Sequence, residues 1–174
     1  KAKSELEVDV NEMTSMLDSY VSFVKTESPE PIETIIINEL IGDIVKTVEK
    51  NGVELTIKEK NTIQTSGRQI QLKRAFNNII DNSQRYAKKI EIILYTNEKD
   101  CVIEFNDDGE GIPRDKYEDV FKPFFTLDPS RNKLKGESGL GLTITRDIIR
   151  SHGGDVKLSD SNLGGLQLKV LLPL

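Results

Sequence analysis

The twenty residues from Arg68 to Ala87 read RQIQLKRAFNNIIDNSQRYA, and two faces can be traced along them. At about 100° per residue, Leu72, Phe76, Ile79, Ile80 and Ala87 fall on one side, which predicts a long amphipathic helix lying on a sheet. Asn78, Asn82 and Arg85 fall along another edge, within roughly 60° of one another. Asparagine is a mediocre helix former, so two of them at i,i+4 in mid-helix cost a little and invite an explanation. Plain solvent-facing polar residues are one explanation; the other is chemical. Neutral carbonyl oxygens and a guanidinium in a row suit a magnesium–polyphosphate, because an asparagine oxygen can join the metal's octahedral shell without adding negative charge beside the phosphates.

Around this helix the pattern turns to strands and shorter helices. Ile90–Thr96 and Cys101–Asn106 read as a hairpin around Asn97–Glu98–Lys99–Asp100. Upstream, Ile32–Ile37 and Val53–Lys58 read as strands on either side of a helix that starts at an Asn38 N-cap, runs to Lys50 and stops at Asn51–Gly52. Downstream come a short helix over Arg114–Val120 and a polar stretch without periodicity from Thr126 to Ser138. A helix over Gly141–Ser151 and a last hairpin of Val156–Ser159 with Leu166–Leu172 follow. Helices and antiparallel pairs on one sheet make an α+β sandwich of two layers.

Residues 1–27 differ from the rest. Leu6, Val10, Met13, Leu17, Tyr20 and Val24 recur in steps of four and three, a seam that packs helices in a coiled coil or bundle; an ordinary surface helix is the alternative. The polar, doubly proline-broken run Thr26–Pro31 reads as a linker. The chain therefore divides into a helix, 1–27, and a domain, 28–174. A net charge of −5 and a pI of about 5.1 leave no basic footprint for nucleic acid. No stretch approaches the roughly 20 apolar residues that cross a bilayer, and no signal-peptide pattern opens the chain, so a soluble, cytoplasmic piece is expected. The single cysteine, Cys101, sits in an apolar run and reads as a small buried hydrophobe.

Two further stretches carry chemistry. Asn106–Asp107–Asp108–Gly109–Glu110–Gly111–Ile112–Pro113 follows a strand, where a buried carboxylate can accept from an amino group and glycines let the backbone press against a ring. A simple turn or a calcium loop are the alternatives, and the oxygen ligands of an EF-hand are missing. Gly136–Glu137–Ser138–Gly139–Leu140–Gly141–Leu142 leads into a helix, where glycines free backbone N–H groups for phosphate. It is neither a P-loop, since no Gly-Lys-Ser/Thr follows, nor a dinucleotide fingerprint, since a polar loop precedes it.

In this order the three elements resemble the N, G1 and G2 boxes of the ATPase superfamily that holds histidine kinases, gyrase, MutL-type repair proteins and a heat-shock chaperone, with a Bergerat-type α+β fold. Phe121–Lys122–Pro123–Phe124–Phe125 resembles the F box found mainly in sensor histidine kinases. The first helix is similar to the second helix of the dimerisation and phosphotransfer stalk of osmosensor-type kinases. The resemblance covers Pro31 to Leu174. It implies that Asn82 holds Mg²⁺, that Asn78 and Arg85 touch phosphate, and that Tyr86 lies against the nucleobase. Asp107 would read the adenine amino group, with Gly109, Gly111 and Ile112 lining the base pocket beside Phe125 of the F box. Thr126–Ser138 would be a mobile ATP lid, with Arg131 or Lys133 reaching the γ-phosphate, and Gly139, Leu140, Gly141 and Leu142 would cap the phosphates.

The implied activity is binding of Mg–ATP and donation of its γ-phosphoryl to a histidine on a stalk helix of the same or the partner subunit. The parent would be a membrane-anchored homodimer serving a cognate response regulator. Three departures stand out. Thr126–Leu127 occupies the place where many relatives have an arginine, and Gly165–Leu166 the place where many have Gly-Thr, which removes one water-mediated adenine contact. The phosphoacceptor H box is absent: the only histidine, His152, is followed by two glycines and reads as a helix C-cap. An anti-sigma-type serine/threonine kinase and a catalytically silent ATP-binding module are the alternatives.

Overall fold

Strand alternation builds one apolar face, and that face fixes the architecture. A computed structural model of the chain describes residues 30–47, 52–127 and 139–174, together with Val10 and Thr14. The elements run β1 (Glu33–Ile36), α1 (Ile37–Thr47), β2 (Glu54–Glu59), β3 (Gln64–Gly67), α2 (Gln69–Tyr86), β4 (Lys89–Thr96), β5 (Asp100–Asp107), α3 (Gly141–Ser151), β6 (Asp155–Asp160) and β7 (Leu166–Pro173). Five strands form one sheet in the order β2-β4-β5-β7-β6, and β1 pairs with β3 in a separate antiparallel ribbon. Along one inward row, Ile57, Ile92, Phe105, Leu168 and Leu158 stand in register from strand to strand. The row on the opposite face reads Lys58, Ile93, Glu104, Lys169 and Lys157. There Lys58 pairs with Glu91 at 2.5 Å and Lys169 with Glu104 at 2.9 Å. Only the apolar face can stack a helical layer without stranding charge.

That layer is α1, α2 and α3. Leu72, Ala75, Phe76, Ile79 and Ile80 of α2 are buried with Ile37, Ile41 and Ile44 of α1 and Ile144, Ile148 and Ile149 of α3 in a single core. Phe76 and Phe105 meet helix to sheet, their ring centroids 6.1 Å apart.

The outline matches the two-layer α+β expectation, and the differences have physical reasons. β2 joins β4 in parallel, because β3 and α2 intervene and give the crossover that parallel neighbours require. Asn38 is not an N-cap. It lies in the first turn of α1, where its Oδ1 accepts from Ile63 N–H at 2.8 Å and its Nδ2 donates to the Asn61 carbonyl at 3.2 Å. The short helix over Arg114–Val120 is instead two 3-10 turns, Arg114–Lys116 and Asp119–Phe121. The helix 1–27 lies outside the described residues except at Val10 and Thr14, both helical, where Thr14 Oγ1 donates to the Val10 carbonyl at 2.8 Å.

Phe76 is fully buried and Ile70, on the same helix, is 70% exposed. Urea denaturation should show Phe76→Ala losing about 3–5 kcal/mol of stability, and Ile70→Ala changing it by no more than about 0.5 kcal/mol.

Candidate functional site

Asp107 ends β5 and points into the core, 5% exposed. A carboxylate in such a place must be hydrogen-bonded. Its Oδ1 accepts from Gly109 N–H at 3.0 Å and from Leu166 N–H at 2.9 Å, and its carbonyl accepts from Gly165 N–H at 3.0 Å. Oδ2 has a longer contact, 3.4 Å, from the Ser83 hydroxyl of α2. One carboxylate oxygen thus carries the backbone bonds, and the other carries the longer contact from Ser83. Gly165 has no alternative: a Cβ there would fall on Asp107 Oδ1 and the Gly109 nitrogen. Leu166 reaches Asp107 through its backbone and buries its own side chain.

Asp108 clasps the loop that follows to the end of α2. Its Oδ1 accepts from Lys88 N–H at 2.7 Å and Lys89 N–H at 2.8 Å, while its own N–H donates to the Lys89 carbonyl at 3.2 Å. These backbone donors, Lys89 foremost, hold its carboxyl below the usual carboxylate range. The clasp brings Tyr86, the last residue of α2, alongside Gly109, where a Cβ would sit 3.0 Å from the Tyr86 carbonyl oxygen. Gly111 has φ +70°, a conformation that favours glycine. Beyond it, Arg114 pairs with Asp160, and the Tyr117 hydroxyl donates to the same carboxylate at 2.9 Å, which ties the turn after Ile112 to the end of β6.

The edge of α2 connects this corner to the glycine turn. Asn78 Nδ2 donates to the Gly141 carbonyl at 3.2 Å. Asn82, half-buried, comes one turn later, directly before Ser83; Arg85 is exposed. Burial pushes the Asp81 carboxyl up, and the Arg85 guanidinium draws it back down.

Opposite, no side chain caps the N-terminus of α3, and its first turn holds no acidic residue. Such an end offers backbone N–H groups and the positive end of the helix dipole to an anion. Gly139, with φ +64°, meets the F-box segment so closely that a Cβ would lie 2.8 Å from Phe124 Cα. Phe124 N–H donates to the Gly139 carbonyl at 3.0 Å, and Phe124 itself holds φ +63° and is 55% exposed. Thr143 Oγ1 donates to the Phe121 carbonyl at 3.0 Å, and the Arg146 guanidinium covers the Phe121 ring at 4.4 Å while pairing with Glu118 at 2.8 Å. Phe125 and Leu142 pack against the core, and Leu140 is buried. Arg131 and Lys133 lie outside the described residues.

His152 is a structural side chain. Its Nδ1–H donates to the Ile148 carbonyl at 2.7 Å, which leaves Nε2 to accept from Arg68 N–H at 3.0 Å. Both ring nitrogens are used. The sequence gives no role to Ser83 or Asp108, and it marks Gly165 only as part of the departure at Gly165–Leu166. Ser83 left a signal as a small polar residue on a helix position that faces the core.

These groups fit a nucleotide: a buried carboxylate, glycines at close approaches, and an uncapped helix end. Residues 67–174 match the family described as histidine kinase-, DNA gyrase B- and HSP90-like ATPase. The chain is 31% identical to the sensor histidine kinase CpxA of Escherichia coli (strain K12), covering all of this chain and 40% of that protein. It is 27% identical to the signal transduction histidine-protein kinase BaeS of the same strain, covering 97% of this chain and 38% of the relative. Among solved structures, the mycobacterial sensor histidine kinase MprB superposes with a TM-score of 0.72 at 25% identity, over 82% of this chain and 97% of that one. The chain thus spans about 40% of the length of the curated relatives it matches.

The Asp108 clasp yields a pH test. Asn supplies the same acceptor oxygen without the charge, so Asp108→Asn should keep adenosine binding while Asp108→Ala weakens it in calorimetry. Because the folded carboxyl lies below its ordinary value of 3.8, the charged form's contribution is complete above that value and drains as pH falls through the lowered one. Urea denaturation should therefore show the stability gap between wild type and Asp108→Asn closing in acid.

Proposed function

The chain belongs to the histidine kinase-, DNA gyrase B- and HSP90-like ATPase family, and on that premise we propose that it is the ATP-binding, phosphoryl-donating domain of a sensor histidine kinase. One observation carries the reading. Asn82 stands on α2 between Asn78, bonded to Gly141 of the glycine turn, and Ser83, in contact with Asp107 of the base corner. A single helix edge therefore spans the distance between a site for a base and a site for phosphates.

In this reading Asp107 Oδ2 takes the adenine amino group, and Tyr86, Gly109, Gly111 and Ile112 line the base. Asn82 holds Mg²⁺, with Asn78 and Arg85 toward the phosphates. Gly139, Leu140, Gly141 and Leu142 offer their backbone at the start of α3, and Arg131 or Lys133 reaches the γ-phosphate. Among the described residues no group of three or more His, Cys, Asp or Glu is set to hold a metal by itself, so the metal depends on Asn82, phosphate oxygens and water. Bound ATP supplies the transferable phosphoryl group. The domain's own part is to bind, orient and neutralise charge, with Asn82 and Arg85 foremost.

The acceptor histidine belongs to a stalk helix outside this chain, on the same or the partner subunit. Residues 1–27 form the second stalk helix and 28–174 the catalytic domain. No described helix is long and apolar enough to cross a membrane. The membrane anchor, the homodimer and the cognate response regulator are proposed for the parent protein.

Two substitutions test this. Asn82→Ala should fold normally, keep adenosine binding, and lose the magnesium-dependent part of ATP affinity together with most phosphoryl transfer to an added H-box stalk domain; transfer at the wild-type rate would falsify the metal assignment. In Asp107→Asn the two backbone donors keep the amide oxygen, so the amide nitrogen faces the adenine amino group. Calorimetry should show adenine nucleotides weakened by about 1–3 kcal/mol. The chain alone, incubated with radiolabelled ATP, should acquire no label at His152.

A further inference from the structure

The first turn of α2 has no cap of its own. Arg68, at the N-cap, makes no side-chain bond to the helix, and no acidic residue follows in the first turn. The open N–H groups of a helix start must find partners elsewhere. Here they come from two distant parts of the chain. Glu30, ahead of β1, accepts from Ile70 N–H at 2.5 Å through Oε1 and from Gln71 N–H at 3.3 Å through Oε2. His152, the C-cap of α3, accepts from Arg68 N–H. Gly67 keeps this junction tight, since a Cβ there would lie 2.9 Å from His152 Cδ2 and 3.0 Å from Leu72 Cδ1.

The same two helices are joined again farther along. Asn78 bonds to Gly141, and Thr145 Oγ1 contacts the Ala75 carbonyl at 3.4 Å. α2 and α3 therefore run antiparallel, held at both ends of their overlap, and their relative slide sets Asn78 and Asn82 against Gly139–Gly141. The only one of these ties that comes from outside the two helices is Glu30. It is followed by Pro31, whose fixed φ makes the approach of the chain stiff.

We propose that Glu30 is a positioning residue: its carboxylate fixes the start of α2 and lets the segment leading into the domain bias the placement of Asn78 and Asn82 against the glycine turn. Glu30 does not touch nucleotide; it acts through α2, with its negative charge at the positive end of the helix dipole. The proposal rests on the reading of Asn82 and the glycine turn as a Mg–ATP site.

Calorimetry on the 174-residue chain with Mg–ATP, with ATP in EDTA and with adenosine tests it. Glu30→Ala should weaken Mg–ATP by about 5-fold, the lower end of typical coupling between sites, and leave adenosine, which depends on Asp107, unchanged. Glu30→Gln should recover part of the loss, because its one amide oxygen can still accept from one N–H. By reciprocity, Mg–ATP should slow hydrogen exchange at the Ile70 and Gln71 amides of the wild type, and adenosine should not. Unchanged Mg–ATP affinity in Glu30→Ala overturns the coupling. An equal loss for adenosine and Mg–ATP also overturns it, since that marks a domain that is only less well folded. A wild-type chain whose ATP affinity ignores magnesium overturns the metal-site reading first and the coupling with it.

Discussion

A carboxylate taken out of water at the end of a strand costs several kcal/mol unless backbone donors meet it, and in this domain much of the fold answers that demand. Two N–H groups converge on Asp107 Oδ1, one from the loop just after β5 and one from the start of β7. The second is available only if β7 lies beside β5 in the register that sets Asn106 against Gln167. Gly165 must lack a side chain for that approach, and α2 must end where Ser83 reaches the other oxygen. The order of the sheet, the identity of one glycine and the seat of a helix are conditions for one buried charge.

The second framework is the antiparallel pair α2 and α3. Each contributes what the other lacks: α2 carries the asparagine edge, and α3 offers an uncapped N-terminus. Their shared hydrogen bonds run backbone to side chain in both directions, Arg68 to His152 and Asn78 to Gly141. Apolar packing alone would tolerate a slide of a fraction of a turn. Directional bonds at both ends narrow that range. The F-box segment is then fastened to α3 by Thr143 and Arg146.

Much of this was legible in the sequence where local pattern decides the outcome. Gly141–Ser151 is the helix its periodicity indicates, and α2 begins and ends within one residue of the predicted span. The apolar faces of both follow from spacing alone. β3 was not legible, because Gln64–Gly67 has no apolar alternation and is held through β1 and a bond from Thr65 to the Pro173 carbonyl, 108 residues away. Asp107 and the glycines announced themselves as a site, whereas Asp108 did not: its partners are the backbone amides of Lys88 and Lys89, which leave no mark on a sequence. His152 read correctly as a helix end. Its second bond, to Arg68, spans 84 residues, beyond the reach of any local rule. The helix expected over 1–27, apart from Val10 and Thr14, and the cations Arg131 and Lys133 lie outside the described residues.

The place of β7 bears on how the domain is born. It is the last strand along the chain, yet it lies between β5 and β6. During synthesis β5 therefore emerges from the ribosome with one side unpaired, and β6 has no neighbour to join until Leu166–Pro173 follows. Asp107 likewise waits for the Leu166 amide. The nascent domain can assemble its helices and β4–β5 hairpin early, but it cannot close its sheet or complete the bonds to Asp107 until β7 is out. A nascent chain stalled short of that point exposes a long apolar strand edge, the kind of surface that chaperones and aggregation compete for.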